Sequence, residues 1–404
     1  MGFSLKIGFY YTHYQCLGHT TRVHALLSAI KECFYKAKIF CLQGSLPQKF
    51  ISFPKDISYF NLPYPLFTRD NFLKPYAFNN FAAERRAKVC LQTIHNLRPD
   101  VFFTEFFPLG RNICKYELLP TLAYIARHKK KLFSSAGYPV IPADSAFDID
   151  KFSRLYDKIF IHSPRMEMHY ISGTYNSRQE KKRYLDIFSR LSEKIVFTNY
   201  LLPVQFDFAD KQNNHATLCK GKTNILITRG AGAYHLNIVA AAIKASDMFG
   251  DEFNFVIITG PSTIVAEWRA FQYLMLKKSV KNAVLYKHTS DMSSLLKGAD
   301  LCVCPAPYNT SIWLLYFKKN AVLIPFVGSN GVRYREQAAR ARMLSDILGS
   351  AIIDYEDLTA SRLALQIKRK LKDVKRSYDE TIKRSWFSGK KVFLEELSRL
   401  IPAG

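Results

Sequence analysis

DLCVCPAPYNTSIWLLYFKKNAVLIPF, residues 300–326, holds the reading that decides the fold. It is a short, continuously apolar run, a turn of small and capping residues, a helical segment and a second apolar run. Apolar strands that show no alternation are buried on both faces, and two of them joined by a helix imply a parallel sheet with helices packed on it.

The same unit repeats upstream. TNILITR (223–229) leads through Gly230-Ala231-Gly232-Ala233 into YHLNIVAAAIKAS (234–246), followed by FNFVIITG (253–260) and NAVLYKH (282–288). Farther back, LKIGFYY (5–11) passes through CLGHTTR (16–22) into VHALLSAIKECF (23–34), with further strands expected at 36–42, 101–107, 130–136, 157–163 and 193–199. Between 205 and 222 the pattern lapses into FDFADKQNNHATLCKGK, polar and without period. The expected architecture is α/β, two Rossmann-like doubly wound domains facing across a cleft. Residues 1–208 form the first, 209–222 a linker and 223–404 the second, with the basic helical stretch 363–400 ending the chain and its last helix free to pack back on the first domain. Ligands of such sheets sit at the carboxyl ends of the strands.

Composition narrows the class. The 404 residues are 48% hydrophobic and 23% charged, which fits globular domains rather than a disordered chain. No run reaches the length a membrane-crossing helix needs. The eight cysteines show no metal-ligand spacing, and MGFSLKIGFYY lacks a basic segment followed by a long apolar stretch, so reduced thiols and a cytoplasmic location are expected. The balance of 58 Lys+Arg against 33 Asp+Glu gives a net charge of +25. Such a field attracts polyanions or an anionic membrane surface. Nucleic acid is disfavoured, because no compact recognition module accompanies the charge.

Two turns carry chemistry. The small residues Gly230, Ala231 and Gly232 between strand and helix allow a phosphate to approach backbone N–H groups, although tight packing explains such a turn equally well. In PYNTS (307–311), Asn309, Thr310 and Ser311 are placed to cap a helix or to hold a diphosphate. At the far end of the chain, Gly18 and His19 close the first strand, and Glu105 sits at the carboxyl end of another. A neutral imidazole suits a general base or a hydrogen-bond donor, and a carboxylate at a strand end points into the cleft. Arg22 and Arg111 are placed to hold phosphate or to pair with Glu105.

Taken in order, SDMSSLLKGADLCVCPAPYNTSIWLLYFKKNAVLIPF with REQAARARML, and in the first half CLGHTTR, PDVFFTEFFPLGR, LYDKIFIHSP and FTNYLLP, resemble the GT-B glycosyltransferases. The resemblance is to the bacterial predicted-glycosyltransferase group related to the lipid II-forming N-acetylglucosaminyltransferase. It implies a nucleotide-sugar donor, UDP-linked by preference, on the second domain, an acceptor of unknown identity on the first, and metal-independent transfer of a hexosyl group between them, with no cofactor. Carried over residue by residue, it sets Thr289 and Met292, with the backbone at His288, against the base. Gly230, Ala231 and Gly232, with Asn309 and Thr310, fall at the diphosphate, and Glu336 and Gln337 at the sugar hydroxyls. His19 and Glu105 become the catalytic candidates, with Gly18, Arg22 and Arg111 binding substrate.

The chain departs from that pattern at Ala306-Pro307, where the group has two glycines, and at Trp313, where it has the acidic residue that binds the ribose hydroxyls. Losing that carboxylate removes an interaction worth about 1.5–3 kcal/mol. The departures motivate an alternative, a catalytically degenerate GT-B protein acting as a binding subunit. The basic charge admits a lipid-linked or other polyanionic acceptor, with the protein peripheral at the inner face of a membrane.

Overall fold

Parallel strands and helices alternate through the computed structural model, which describes residues 4–12, 18–44, 54–63, 80–141, 149–203, 216–230, 235–326, 335–373 and 382–401. Ala231 and Gly232 lie outside these residues, as do residues 209–215 of the expected linker.

The first half contains β1 (Lys6–Tyr11), α1 (Gly18–Cys33), β2 (Lys38–Gln43), β3 (Ile57–Asn61), α2 (Asn80–Leu97) and β4 (Val101–Glu105). It continues through α3 (Lys115–Arg127), β5 (Lys131–Ala136), α4 (Ile149–Ser153), β6 (Lys158–Ile161), α5 (Glu167–Ser172), α6 (Arg178–Arg190) and β7 (Ile195–Phe197). Its sheet has seven strands in the order β3-β2-β1-β4-β5-β6-β7. The chain winds outward from β1 to β3, returns to β4 beside β1, and winds the other way. That reversal opens a crevice beyond the carboxyl ends of β1 and β4.

The second half repeats the plan. It runs β8 (Thr223–Thr228), α7 (Leu236–Ser246), β9 (Phe253–Ile258), α8 (Val265–Lys277), β10 (Ala283–Tyr286), α9 (Met292–Gly298), β11 (Leu301–Cys304) and α10 (Tyr308–Tyr316). Then follow β12 (Ala321–Leu323), α11 (Arg335–Leu348), β13 (Ala351–Ile352), α12 (Ala360–Lys372) and α13 (Gly389–Leu400). The six strands lie in the order β10-β9-β8-β11-β12-β13, and the reversal falls between β8 and β11. The two turns singled out in the sequence, after 229 and after 306, are therefore the two loops that flank this crevice.

Apolar packing explains why these segments hold. Both faces of the first sheet are covered: Ile7, Phe9, Phe103 and Phe160 lie in the core shared with α1 and α13 on one face, and Phe102, Leu118 and Leu122 in the core on the other. Phe9 and Phe103 stack across β1 and β4 with centroids 4.6 Å apart. Cys302 and Cys304 are buried in β11 as small apolar residues, and every described cysteine is free.

Several boundaries differ from the expectation. The apolar run 101–107 leaves the sheet after Glu105, because Phe106 turns into the left-handed region (φ 65°) and a cis Phe107–Pro108 bond follows. The long basic stretch 363–400, expected to be helical, contains α12 and α13. The second of them leaves its own sheet: Phe393, Leu397 and Ile401 join the core of the first sheet beneath α1.

The halves also meet through α11. Arg335 and Arg342 donate to the carbonyls of Thr174 (2.6 Å) and Gly173 (3.1 Å), the C-terminal end of α5, where positive charge complements the helix dipole.

Candidate functional site

At the crevice of the first sheet, four side chains predicted from two motifs come together, His19 and Arg22 on the carboxylate of Glu105 and Arg111 on His19. Glu105 is the last residue of β4 and is fully buried. Its Oε1 accepts a hydrogen bond from His19 Nδ1 at 2.7 Å and another from Arg22 Nη2. The two donor nitrogens lie 3.1 Å apart because they share that oxygen. Arg111 Nη2 stands 2.5 Å from His19 Nε2, so the imidazole carries its proton on Nδ1 and accepts from Arg111 on Nε2. Oε2 of Glu105 makes no hydrogen bond among the described residues.

Local structure puts them there. Gly18 and His19 open α1, the next element after β1, and Arg22 follows one turn later on the same helix face. Arg111 is in the left-handed region (φ 55°) at the start of a single 3-10 turn, Asn112–Cys114. Left-handed backbone at non-glycine residues costs about 1–2 kcal/mol, and Arg111 and Phe106 both adopt it beside this site.

The charges set the protonation. Burial, reinforced by the Arg111 guanidinium, holds the His19 imidazole down at about 4 against the pull of Glu105, so it is neutral near pH 7. Burial alone would raise the Glu105 carboxyl. His19 and Arg22 overcome it and hold the group at about 2. The result is an oriented neutral imidazole backed by an ionised carboxylate, the arrangement a general base requires.

At the crevice of the second sheet, Gly230 lies two residues past β8 with φ 81°, a conformation open to glycine at little cost. The residue before it, Arg229, is buried and was not anticipated. It donates to the Thr259 carbonyl and, at 2.9 Å, to Thr263 Oγ1, and pairs with Glu267 at 3.4 Å. A cation at the end of the otherwise apolar run TNILITR is the sequence signal that marks it.

The turn after β11 differs from its expected capping. Pro307 is the N-cap of α10 and no side chain caps the helix. Asn309 and Thr310 lie within the first turn instead, and Asn309 Oδ1 is buried without a hydrogen-bond partner among the described residues. The first N–H groups of α10 are thus not capped by any side chain.

Other candidates fall around this crevice. Thr289 Oγ1 accepts from the N–H of Asp291, which itself caps α9, placing Met292 at that helix's first position and His288 just before it. Glu336 and Gln337 begin α11. Gln337 Oε1 accepts from the N–H of Phe326 at 3.1 Å, and burial pushes the Glu336 carboxyl up against the opposing pull of Arg340. Trp313 is packed into an aromatic cluster, its ring parallel to Phe317 at 5.2 Å and edge-on to Tyr316.

A buried network that no motif announced joins the two crevices. Arg340, 2% exposed, lies 3.8 Å from Glu167 of α5, donates to the Ala306 carbonyl at 3.1 Å and stacks over Tyr138 at 4.6 Å. Tyr200 donates to Glu167 Oε1 at 2.8 Å. Tyr308, the first residue of α10, donates to the carbonyl of His162 at the end of β6. Its ring lies 5.3 Å from the Arg22 guanidinium.

The fold agrees with the comparisons to known proteins. A family model described as Glycosyltransferase family 28 C-terminal domain matches residues 224–397. No curated protein sequence matches the chain. Solved structures do match over the full length. The glycosyltransferase SnogD from Streptomyces nogalater is 14% identical, with 98% of this chain and 99% of that chain covered at a TM-score of 0.62. Acinetobacter baumannii MurG is 13% identical, with 97% and 95% covered and a TM-score of 0.53. The Streptomyces sp. SF2575 glycosyltransferase SsfS6, solved with thymidine diphosphate, is 10% identical, with 97% and 99% covered and a TM-score of 0.61. The chain has the GT-B fold, and it resembles the MurG-like GT-B glycosyltransferases in fold throughout and in sequence across its second half.

Proposed function

We propose that the chain is a glycosyltransferase in which residues 1–208 bind the acceptor and residues 223–404 the nucleotide-sugar donor. The observation that carries this reading is the His19–Glu105 pair. It stands at the crevice of the first sheet, and its companion Arg22 reaches over to Tyr308, the first residue of the helix at the crevice of the second. Two sites of opposite character meet there: an oriented base, and a helix N-terminus suited to a diphosphate.

The chemistry follows. An acceptor hydroxyl attacks the anomeric carbon, the bond from that carbon to the diphosphate oxygen breaks, and the nucleoside diphosphate leaves with the bonding pair. His19 Nε2 takes the hydroxyl proton, and Glu105 stabilises the imidazolium through Nδ1–H. In the structure Arg111 occupies Nε2, so an anionic acceptor group that draws Arg111 away would both bind the acceptor and free the base. The N–H groups of α10, with Gly230 and the adjoining Ala231 and Gly232, would neutralise the departing charge, a task that needs no metal. His288, Thr289 and Met292 would face the base, Asn309 and Thr310 the diphosphate, and Glu336 and Gln337 the sugar. UDP is the favoured nucleotide on the resemblance to the lipid II-forming enzyme, and the TDP-bound relative makes thymidine the next to test.

The net charge of +25 supports a peripheral enzyme acting on a lipid-linked or polyanionic acceptor at an anionic surface. No helix among the described residues is long and apolar enough to cross a membrane. Sedimentation with anionic and neutral liposomes at low salt tests this: binding only to the anionic set is expected, and indifference to lipid charge counts against it.

A second reading, a binding subunit without activity, is favoured by Trp313, whose ring packs on Phe317 where a carboxylate would serve ribose. Thermal shift with UDP, TDP, GDP and CDP sugars, followed by assay of nucleotide release, separates the two readings. Both give a stabilising nucleotide, but only a transferase releases it from its sugar.

A further inference from the structure

Arg22 is boxed. On one side its guanidinium lies 5.0 Å from the Phe106 ring. On another is Gly137, so close that a Cβ there would stand 2.5 Å from Nη1. The third wall is Tyr308, at 5.3 Å. Phe106 and Gly137 belong to the first sheet's own loops, so the wall contributed by the other half is Tyr308.

That residue is held from both halves. Its hydroxyl donates to the carbonyl of His162 and accepts from the N–H of Leu201 at 3.4 Å, one at the end of β6 and the other just beyond β7. On its far side lies Arg340 at 5.7 Å. Its backbone is the start of α10, next to Asn309, whose buried oxygen has no partner among the described residues.

We propose that Tyr308 is a positioning residue: it couples the nucleotide-side helix α10 to the Arg22–Glu105–His19 cluster, so that a nucleoside diphosphate settling at α10 is felt at the acceptor-side base. The route is physical at each step. A phosphate drawn to the N-terminus of α10 shifts the first residue of that helix, and the ring moves against Arg22. Arg22 shares Glu105 Oε1 with His19 and cannot be displaced without disturbing the His19 Nδ1 hydrogen bond. The groups facing His19 are Glu105 from β4, Arg22 from α1 and Arg111 from the loop before α3. Loosening Arg22 frees Glu105 and admits water, and both changes favour the imidazolium. The inference rests on the proposed donor site only for the nucleotide's place.

The test is histidine NMR on the full chain labelled at Cε1, with the His19 resonance assigned by its loss in His19→Gln. In the wild type, saturating UDP is expected to move the His19 midpoint. In Tyr308→Leu the midpoint should rise by about one unit or more without nucleotide, and UDP should no longer move it. Tyr308→Phe keeps the ring over Arg22 and should titrate like the wild type without UDP, with a weakened response to it. Tyr308 with a purely structural role would lower Tm and leave the His19 titration unchanged. A folded Tyr308→Leu that titrates as the wild type does, or bound UDP that leaves wild-type His19 unmoved, overturns the proposal. If Tyr308→Leu does not fold, the Phe variant and the wild-type titration still decide. If UDP gives no thermal shift, the donor reading fails, and the midpoint of the Leu variant still judges Tyr308.

Discussion

Arg111 Nη2 lies 2.5 Å from His19 Nε2, so the imidazole nitrogen that an acceptor hydroxyl needs is held by a guanidinium. The same contact depresses the imidazole's proton affinity and keeps the ring turned toward Glu105. Arg111→Ala should therefore raise the acid limb of the kcat/KM profile from about 4 toward the ordinary histidine value, while weakening the use of an anionic acceptor. A pH–rate profile of the variant checks both effects.

Acid stability should depend on His19. Its folded-state value, about 4, lies below the ordinary value of 6.5, so the unfolded chain binds a proton that the native state refuses. The stability this involves is fully present above 6.5 and is lost as pH falls through the folded value. Glu105, held at about 2 against an ordinary value of 4.5, adds a further loss below 4.5. His19→Gln should reduce the slope of the upper window, to which the buried His24, His162 and His235 also contribute, and leave the lower one sloping. Denaturant unfolding across both windows measures it.

Gly137 is another wall of the Arg22 box. Gly137→Ala puts a methyl group 2.5 Å from the present position of Arg22 Nη1. The guanidinium must shift, and Glu105 loses its second donor. Turnover should fall roughly tenfold or more while nucleotide affinity is retained, since small misplacements at reacting groups cost about that much. Steady-state kinetics with a nucleotide-binding titration makes the comparison.

The Arg340–Glu167 pair across the two halves is asymmetric. Burial raises the Glu167 carboxyl, so without Arg340 it can take up a proton and become neutral. A guanidinium cannot shed its charge. Glu167→Gln should thus destabilise more than Arg340→Met, by about 3–5 kcal/mol for the former. Urea unfolding of the two variants gives the order, and the reverse order would place the energetic weight on the carboxylate.

Much of this was legible in the sequence for one physical reason: continuously apolar strands with glycine, histidine or proline turns mark the carboxyl edges of parallel sheets. The runs at β1, β4, β8 and β11 were recognisable, and so were the residues that follow them, among them His19, Glu105, Gly230 and Asn309. The short edge strands β3 and β13 were not, because ISYFN is half-exposed and β13 spans only two residues. Nor was the network through Arg340, Glu167, Tyr200 and Tyr308. Tyr308 meets His162 across 146 residues, and such a contact has no local period or motif. In sequence, REQAARARML marks only Glu336 and Gln337, at the sugar hydroxyls of the resemblance, and not its arginines. In the structure Arg340 is among the largest fully buried side chains, while Arg342 reaches across to the neighbouring half.

The most direct measurement is release of nucleoside diphosphate from a panel of nucleotide sugars by the wild type and by His19→Ala near pH 7, including the slow hydrolysis that needs no acceptor. The account expects release by the wild type from one nucleotide class and a loss of about 10²–10⁴-fold in His19→Ala, with nucleotide affinity unchanged. Equal release by the two proteins would contradict His19 as the base. A wild type that binds a nucleotide sugar and releases nothing would contradict transfer itself.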